Sequence, residues 1–304
     1  MFRGVFSPVV TVFREDAIDW DAQGLLVERL LDAGVDGILF CGSIGEFQAL
    51  SLEERASLFR WAVRKVKGRA KVLAGTGGTC VKEVVTLTHQ AGEAGVDGAV
   101  VISPYYFKLE EPDLVRFYGA VASVGLPTLL YNFPDRTNTS LSADLVKRLA
   151  EAYPSIVGIK DTVDCISHTR EVIAMVKPVR PGFSVLSGYD EYIVPNRLAG
   201  GDGILTGMTN VDPALFVRMW RALDRHDQLE VIRLQSRINR LMPLYGMGSP
   251  FVAAIKQAVS LLLPEVSATM RAPFTQVNEA QKADIAALLQ DAGLLPMAGS
   301  SQTS

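Results

Sequence analysis

The 304-residue sequence predicts an α/β fold, a (β/α)8 TIM barrel with a C-terminal helical extension. Three observations carry this prediction. The stretch Ala33-Gly34-Val35-Asp36-Gly37-Ile38-Leu39 recurs as Ala94-Gly95-Val96-Asp97-Gly98-Ala99-Val100 and again as Ala199-Gly200-Gly201-Asp202-Gly203-Ile204-Leu205. Each copy joins a helix-ending glycine, an Asp-Gly turn and an apolar strand, the punctuation of a helix handing over to a buried parallel strand. Around these junctions eight short apolar runs alternate with helical patterns over roughly 225 residues, the usual size of such a barrel. An open doubly wound sheet would show fewer strands and a Gly-x-Gly-x-x-Gly turn after the first, and none follows it here.

In chain order, a first strand over 4–12 leads to a helix that begins near Asp19-Trp20-Asp21, carries Leu25, Leu26, Leu30 and Leu31, and closes at Gly34. The second strand follows Asp36, and Ser51-Leu52-Glu53-Glu54 is a capping box for the next helix. Strands at 71–75, 98–102, 127–131, 156–160, 183–186 and 203–206 then alternate with helices at 81–94, 113–124, 142–152, 165–176, 191–198 and 213–223. From about Arg225 the pattern is helical only, with apolar periodicity in Val231, Leu234, Ile238 and Leu241 and again in Val252, Ile255, Val259 and Leu262. The organisation expected is a barrel over 1–224, an extension over 225–295 and a flexible Ser/Gly/Thr-rich tail over 296–304.

Composition narrows the function. With 30 basic against 33 acidic residues and a formal charge of -3, the chain has no basic footprint for nucleic acid. No window is apolar enough to span a bilayer, and the start Met1-Phe2-Arg3-Gly4-Val5 lacks the features of a signal peptide, so a cytoplasmic protein without membrane insertion is expected. Cys41, Cys80 and Cys165 suit reduced thiols, and His89, His168 and His226 are as scattered as they are; neither set spells a metal site.

In barrels of this kind the reactive groups sit at the carboxyl ends of the strands. Those positions hold Thr11, Gly42-Ser43-Ile44-Gly45-Glu46, Gly75-Thr76-Gly77, Ser103-Pro104-Tyr105-Tyr106, Tyr131-Asn132, Lys160-Asp161, Ser187-Gly188 and Thr206-Gly207. Of the chain's ten lysines only Lys160 falls there, ending the apolar run Ile156-Val157-Gly158-Ile159. An ammonium at the end of a buried strand loses hydration, which brings the neutral, nucleophilic amine within reach and suggests Schiff-base chemistry on a carbonyl substrate. A lysine there can also simply end the strand or pair with Asp161. Imine chemistry further needs a carboxylate anchor and a proton carrier. The glycines around Ser43 and Ile44 let backbone N–H groups converge on an anion, and the phenol of Tyr131 can both give and take a proton. The plainer alternatives are a strand-to-helix turn and a packed tyrosine.

Taken together, Gly42-Ser43-Ile44-Gly45-Glu46, Ser103-Pro104-Tyr105-Tyr106, Tyr131-Asn132-Phe133-Pro134-Asp135-Arg136-Thr137 and Gly158-Ile159-Lys160-Asp161 resemble the successive signatures of the dihydrodipicolinate synthase and N-acetylneuraminate lyase family. The resemblance implies a class I aldolase in which Lys160 forms a Schiff base with pyruvate or a related 2-keto acid and Tyr131 relays protons with help from Ser43. It also implies that Tyr106 reaches across a dimer interface to complete a neighbour's relay, in a homotetramer built as a dimer of dimers. The protonated imine is itself the electron sink, so no metal or organic cofactor is implied. Ser43, Ile44, Arg136 and Leu205 are the substrate-binding candidates.

The second substrate divides the readings. Arg136 matches the arginine that pairs with the carboxylate of aspartate semialdehyde in the synthase branch, which puts dihydrodipicolinate synthase first. Ile44 stands where that branch usually has a second threonine, and Asn138 replaces a common glycine. Gly45-Glu46-Phe47, Tyr131-Asn132-Phe133-Pro134, Ser187-Gly188-Tyr189-Asp190 and Pro250-Phe251-Val252-Ala253-Ala254-Ile255-Lys256 look more like the 2-keto-3-deoxy sugar-acid aldolases, which release pyruvate and a small aldehyde. Two other classes are weighed: a non-catalytic barrel that binds a keto acid, against which the candidate groups are all present, and a phosphate-binding barrel, for which Gly207-Met208-Thr209-Asn210 lacks a second convergent glycine.

Overall fold

The computed structural model describes residues 1–297. Eight parallel strands close into a barrel: β1 (Gly4–Pro8), β2 (Gly37–Phe40), β3 (Lys71–Gly75), β4 (Gly98–Ile102), β5 (Thr128–Asn132), β6 (Ile156–Asp161), β7 (Ser184–Ser187) and β8 (Gly203–Leu205). Each pairs with the next in sequence, and β8 returns to β1. The helices between them are α1 (Trp20–Ala33), α2 (Leu52–Val66), α3 (Val81–Ala94), α4 (Glu111–Ala122), α5 (Ala143–Ala152), α6 (Ile166–Val176), α7 (Ile193–Leu198) and α8 (Pro213–Asp224). Strands buried on both faces must be apolar on both, which is why they read as continuous runs rather than alternating ones. Side chains such as Phe6, Leu73, Leu129 and Leu186 fill the barrel interior.

The recurring Asp-Gly has a physical explanation. Asp36 bridges to Val5 of β1, donating its N–H to the Val5 carbonyl at 2.8 Å and accepting the Val5 N–H on its carboxylate at 2.8 Å. Asp97 does the same to Val72 of β3, and Asp202 to Val185 of β7. Each aspartate therefore locks the start of one strand to its neighbour and satisfies a backbone donor that the barrel rim would leave unpaired. The glycines before them, Gly34 and Gly95, end their helices at φ 83° and 86°, where a side chain would be strained.

Several boundaries differ from the sequence reading. The first strand stops at Pro8, four residues before the expected end, because the Val10 N–H turns to the Asn210 side chain at 3.1 Å. The chain then makes a small hairpin, Phe13–Arg14 with Ala17–Ile18, that the pattern did not announce. The helix expected over 113–124 starts two residues earlier, with Pro112 in its first turn, where its missing N–H costs nothing. The stretch around Glu191 begins as a 3-10 turn, Asp190–Tyr192, before α7, and Pro134–Thr137 forms a short helical turn after β5. The tail assigned to 296–304 lies, from 298 onward, outside the described residues.

After α8 come α9 (Gln228–Leu241), α10 (Phe251–Leu262) and α11 (Glu279–Asp291). Leu234, Ile238, Val252, Ile255, Val259, Ile285 and Leu289 join the same hydrophobic core as Val9, Phe13 and Ile44 of the barrel. A buried ion pair reinforces this junction: the ammonium of Lys256 on α10, 1% exposed, lies 2.6 Å from the carboxylate of Glu46, which is fully buried. Lys256 also donates to the Thr269 carbonyl, and both its ammonium and the Arg271 guanidinium lie 4.5 Å from the centre of the Phe13 ring. Among the described residues no helix is long and apolar enough to cross a membrane.

Breaking a buried pair leaves an uncompensated charge. Lys256→Met is expected to cost about 3–5 kcal/mol in urea unfolding, and adding Glu46→Gln to recover most of that loss. A single-variant cost below about 1 kcal/mol would show that Glu46 is satisfied without Lys256.

Candidate active site

The barrel register builds the site. On neighbouring strands Tyr131 pairs with Lys160 and Asn132 with Asp161. Successive strand residues face opposite ways, so the first pair faces the barrel interior and the second the surrounding helices. The Lys160 side chain is 4% exposed, and its ammonium lies 4.2 Å from the centre of the Tyr131 ring.

Asp161, the alternative partner for Lys160, is committed elsewhere. Its carboxylate accepts from Asn132 Nδ2 at 2.9 Å, Thr169 Oγ1 at 2.6 Å and His168 Nδ1 at 2.9 Å. The Asn132 side-chain Oδ1 in turn accepts the Leu141 N–H at 3.0 Å, and His168 Nε2 meets the Leu141 backbone carbonyl at 2.8 Å. A carbonyl only accepts, so Nε2 carries a proton, and with Nδ1 against the Asp161 carboxylate both ring nitrogens face acceptors, the arrangement that favours an imidazolium. The hydrogen bond to Asp161 raises the His168 pKa against the opposing effect of burial. Among the described residues no carboxylate stands within ion-pair distance of the Lys160 ammonium.

Ser43, Ile44, Tyr131, Arg136, Lys160 and Leu205 line one cavity of about 420 Å³ at the carboxyl end of the barrel. The loop carrying Ser43 and Ile44 is held from outside: Thr11 Oγ1 donates to the Gly45 carbonyl at 2.7 Å, and Glu46, at φ 52°, is anchored by Lys256. The N–H groups of Ser43 and Ile44 have no acceptor within the described chain, which leaves them for an anion. Arg136 stands at the mouth, its guanidinium 5.4 Å from the Phe133 ring and 5.6 Å from the Phe251 ring. Tyr106 is not in this cavity. It is 85% exposed at φ 90°, packs edge-on to Phe107, and borders a separate open cleft shared with Asp135 and Arg136. The Gly207–Asn210 turn is closed in on itself, with Thr209 donating to Ser7 and Thr206 and Asn210 to Pro8 and Gly207, so it presents no phosphate cradle.

Sequence reasoning missed Asp135, Thr162, Tyr189, Asp190, Glu191, Tyr245 and Phe251 as lining residues. The Ser187-Gly188-Tyr189-Asp190 and Pro250-Phe251 stretches were visible as motifs but carried no assigned contact. Tyr245, in the turn Met242–Gly246 of the extension, had no sequence signal. Asp190 is 1% exposed; Tyr245 Oη donates to it at 2.6 Å and the Met208 N–H at 3.2 Å. Burial raises the Asp190 carboxyl to about 6 and lifts the Tyr245 phenol well above its usual value, so the shared proton stays on the phenol. Among the described residues no cluster of His, Cys, Asp and Glu suits a metal ion.

A (β/α)8 barrel whose carboxyl-end cavity holds, among the described residues, one buried amine without a counter-ion, beside a phenol and free backbone donors, is the frame of a class I lyase of the aldolase type. Residues 1–292 match the dihydrodipicolinate synthetase family, and the chain belongs to it. It is 40% identical over 292 residues to the putative 2-dehydro-3-deoxy-D-gluconate aldolase YagE of Escherichia coli, covering 95% of this chain and 97% of that protein. To the 4-hydroxy-tetrahydrodipicolinate synthase of Methanoculleus marisnigri it is 37% identical over 300 residues, covering 96% of this chain and all of the other. The crystal structure of YagE in complex with pyruvate superposes with a TM-score of 0.94 at 39% identity, covering 97% of this chain and 100% of YagE.

His168 gains its partners only on folding, so its native pKa lies above the unfolded value of about 6.5. Its contribution to stability is complete below that value and is lost as pH rises through the raised native one. Urea unfolding of the parent and of His168→Gln should therefore show a gap that is wide at about pH 5.5 and narrower at about pH 9. A gap of constant width would mean that His168 is not charged in the native state.

Proposed function

We propose that the protein cleaves 2-keto-3-deoxy sugar acids to pyruvate and a small hydroxyaldehyde. Lys160 attacks the 2-keto carbon; loss of water gives a protonated imine. The bond between C3 and C4 then breaks, its electrons passing to the imine nitrogen to form an enamine, while the C4 hydroxyl surrenders its proton and leaves as an aldehyde. Tyr131 carries protons into and out of these steps, helped by Ser43, and the backbone donors at Ser43 and Ile44 hold the keto-acid carboxylate. The enamine is protonated at C3, and water releases pyruvate and restores the amine. Leu205 forms the apolar floor against which C3 packs.

One observation carries the choice of acceptor: among the described residues Asp135, Asp190, Glu191, Tyr189 and Tyr245 line the cavity, with Arg136 as the one cation at its mouth. Such a wall accepts hydrogen bonds from a polyhydroxy chain and suits a second acidic substrate poorly. The likeness to YagE agrees with it. Arg136 favours the synthase reading, with aspartate semialdehyde as the second substrate, and the likeness to the Methanoculleus marisnigri synthase agrees with that reading. The exposed Tyr106–Phe107 pair supports assembly as a homotetramer, a dimer of dimers in which Tyr106 completes a neighbour's relay.

Borohydride added with pyruvate is expected to leave a reduced adduct on Lys160, seen by peptide mass; label at another lysine, or none, overturns the mechanism. Tyr131→Phe should lower kcat about 100-fold or more with little change in pyruvate binding. A coupled assay should show pyruvate release from 2-keto-3-deoxygluconate exceeding condensation of pyruvate with aspartate semialdehyde, and the reverse order would restore the synthase reading.

A further inference from the structure

We propose that Tyr245, oriented by Asp190, is a specificity-determining residue that accepts a hydrogen bond from a hydroxyl on the aldehyde-derived half of the substrate. The inference rests on the aldolase reading above and adds the group that recognises the aldehyde.

Asp190 is a fully buried carboxylate that no cation pairs with among the described residues. Such a group is held in place only by hydrogen bonds. Tyr245 Oη supplies one at 2.6 Å and the Met208 N–H another at 3.2 Å. A phenol has a single donor, and here it is spent on Asp190. What Tyr245 can offer the cavity it lines is therefore acceptor capacity alone, shared with the Gly207 and Met208 N–H groups that also turn toward its oxygen and strengthened by the negative charge behind it.

The surroundings make that acceptor selective. A Cβ on Gly207 would come within 2.7 Å of the Tyr245 hydroxyl and 3.0 Å of the Ile44 side chain, so the glycine keeps room for both at one wall of the cavity. The Phe251 ring packs against the Tyr245 ring, with ring centres 5.8 Å apart. An acceptor beside Ile44 and Phe251 rewards a substrate hydroxyl and loses that bond when a methylene takes its place, which is how a polar site disfavours a deoxy analogue. Tyr245 comes from the C-terminal extension, so the extension supplies a recognition group as well as packing.

The test is a cycle between enzyme and substrate hydroxyls, run as condensation with pyruvate of glyceraldehyde, 3-hydroxypropanal and lactaldehyde. The parent enzyme is expected to lose roughly tenfold in kcat/KM when the hydroxyl read by Tyr245 is removed, and in Tyr245→Phe that penalty should vanish, whereas the penalty for the other hydroxyl persists. Asp190→Ala should erase the same penalty, and Asp190→Asn, which keeps an acceptor for the phenol, should retain it. Borohydride trapping of pyruvate on Lys160 at the parent level shows that each variant is folded. Equal penalties in the parent and Tyr245→Phe overturn the inference. Trapping without condensation of any of the three aldehydes by the parent overturns the aldolase reading itself.

Discussion

The register between β5 and β6 is the constraint on which the site depends. A strand alternates its side chains with a period of two, so pairing Tyr131 with Lys160 sends both into the barrel and sends Asn132 and Asp161 out of it. A slip of one residue would exchange the faces and put a carboxylate where the amine belongs. The outward pair guards against that slip. Asn132 bonds to Asp161 across the two strands, and His168 and Thr169 from α6 close on the same carboxylate. Because this network uses the acid adjacent to the lysine, the amine faces the cavity without a counter-ion among the described residues.

A second constraint joins the barrel to the extension. Glu46 ends the loop that carries Ser43 and Ile44, and it is buried together with Lys256 of α10. Two charges withdrawn from water are tolerated because each finds the other and backbone partners besides. The extension is thereby tied to the loop that presents the free backbone donors. Its neighbouring residues, Met242, Tyr245 and Phe251, then complete the cavity wall. The same junction that stabilises the fold also shapes what the cavity admits.

These two constraints separate the chemistry from its selectivity. Amine, phenol and backbone donors come from strand ends and the first turn after a strand, elements whose positions the closed barrel dictates. The residues proposed to recognise the second half of the substrate come from the turn after β7 and from the extension, elements outside the strands of the barrel. A synthase and an aldolase stand at nearly equal identity to this chain, 37% and 40%.

Much of the fold was legible because its signals are local. Helix-ending glycines, the capping box at Ser51 and the Asp-Gly junctions each act within a few residues, and apolar runs bounded by them mark the strands. Lys160 stood out for the same reason, as a charge closing an apolar run. The sequence also contained a hint of the buried pair, since Lys256 falls on the helical face of Val252 and Val259, but one lysine does not say which carboxylate it will meet. Glu46 lies 210 positions away, and Tyr245 lies 55 positions from Asp190. Which strand ends would share a cavity, that Asp161 would turn away from Lys160, and that a residue of the extension would line the site were decided only by the tertiary structure. Local propensity and hydrophobic period act between near neighbours, whereas these contacts depend on closure of the barrel and on where the last helices dock against it.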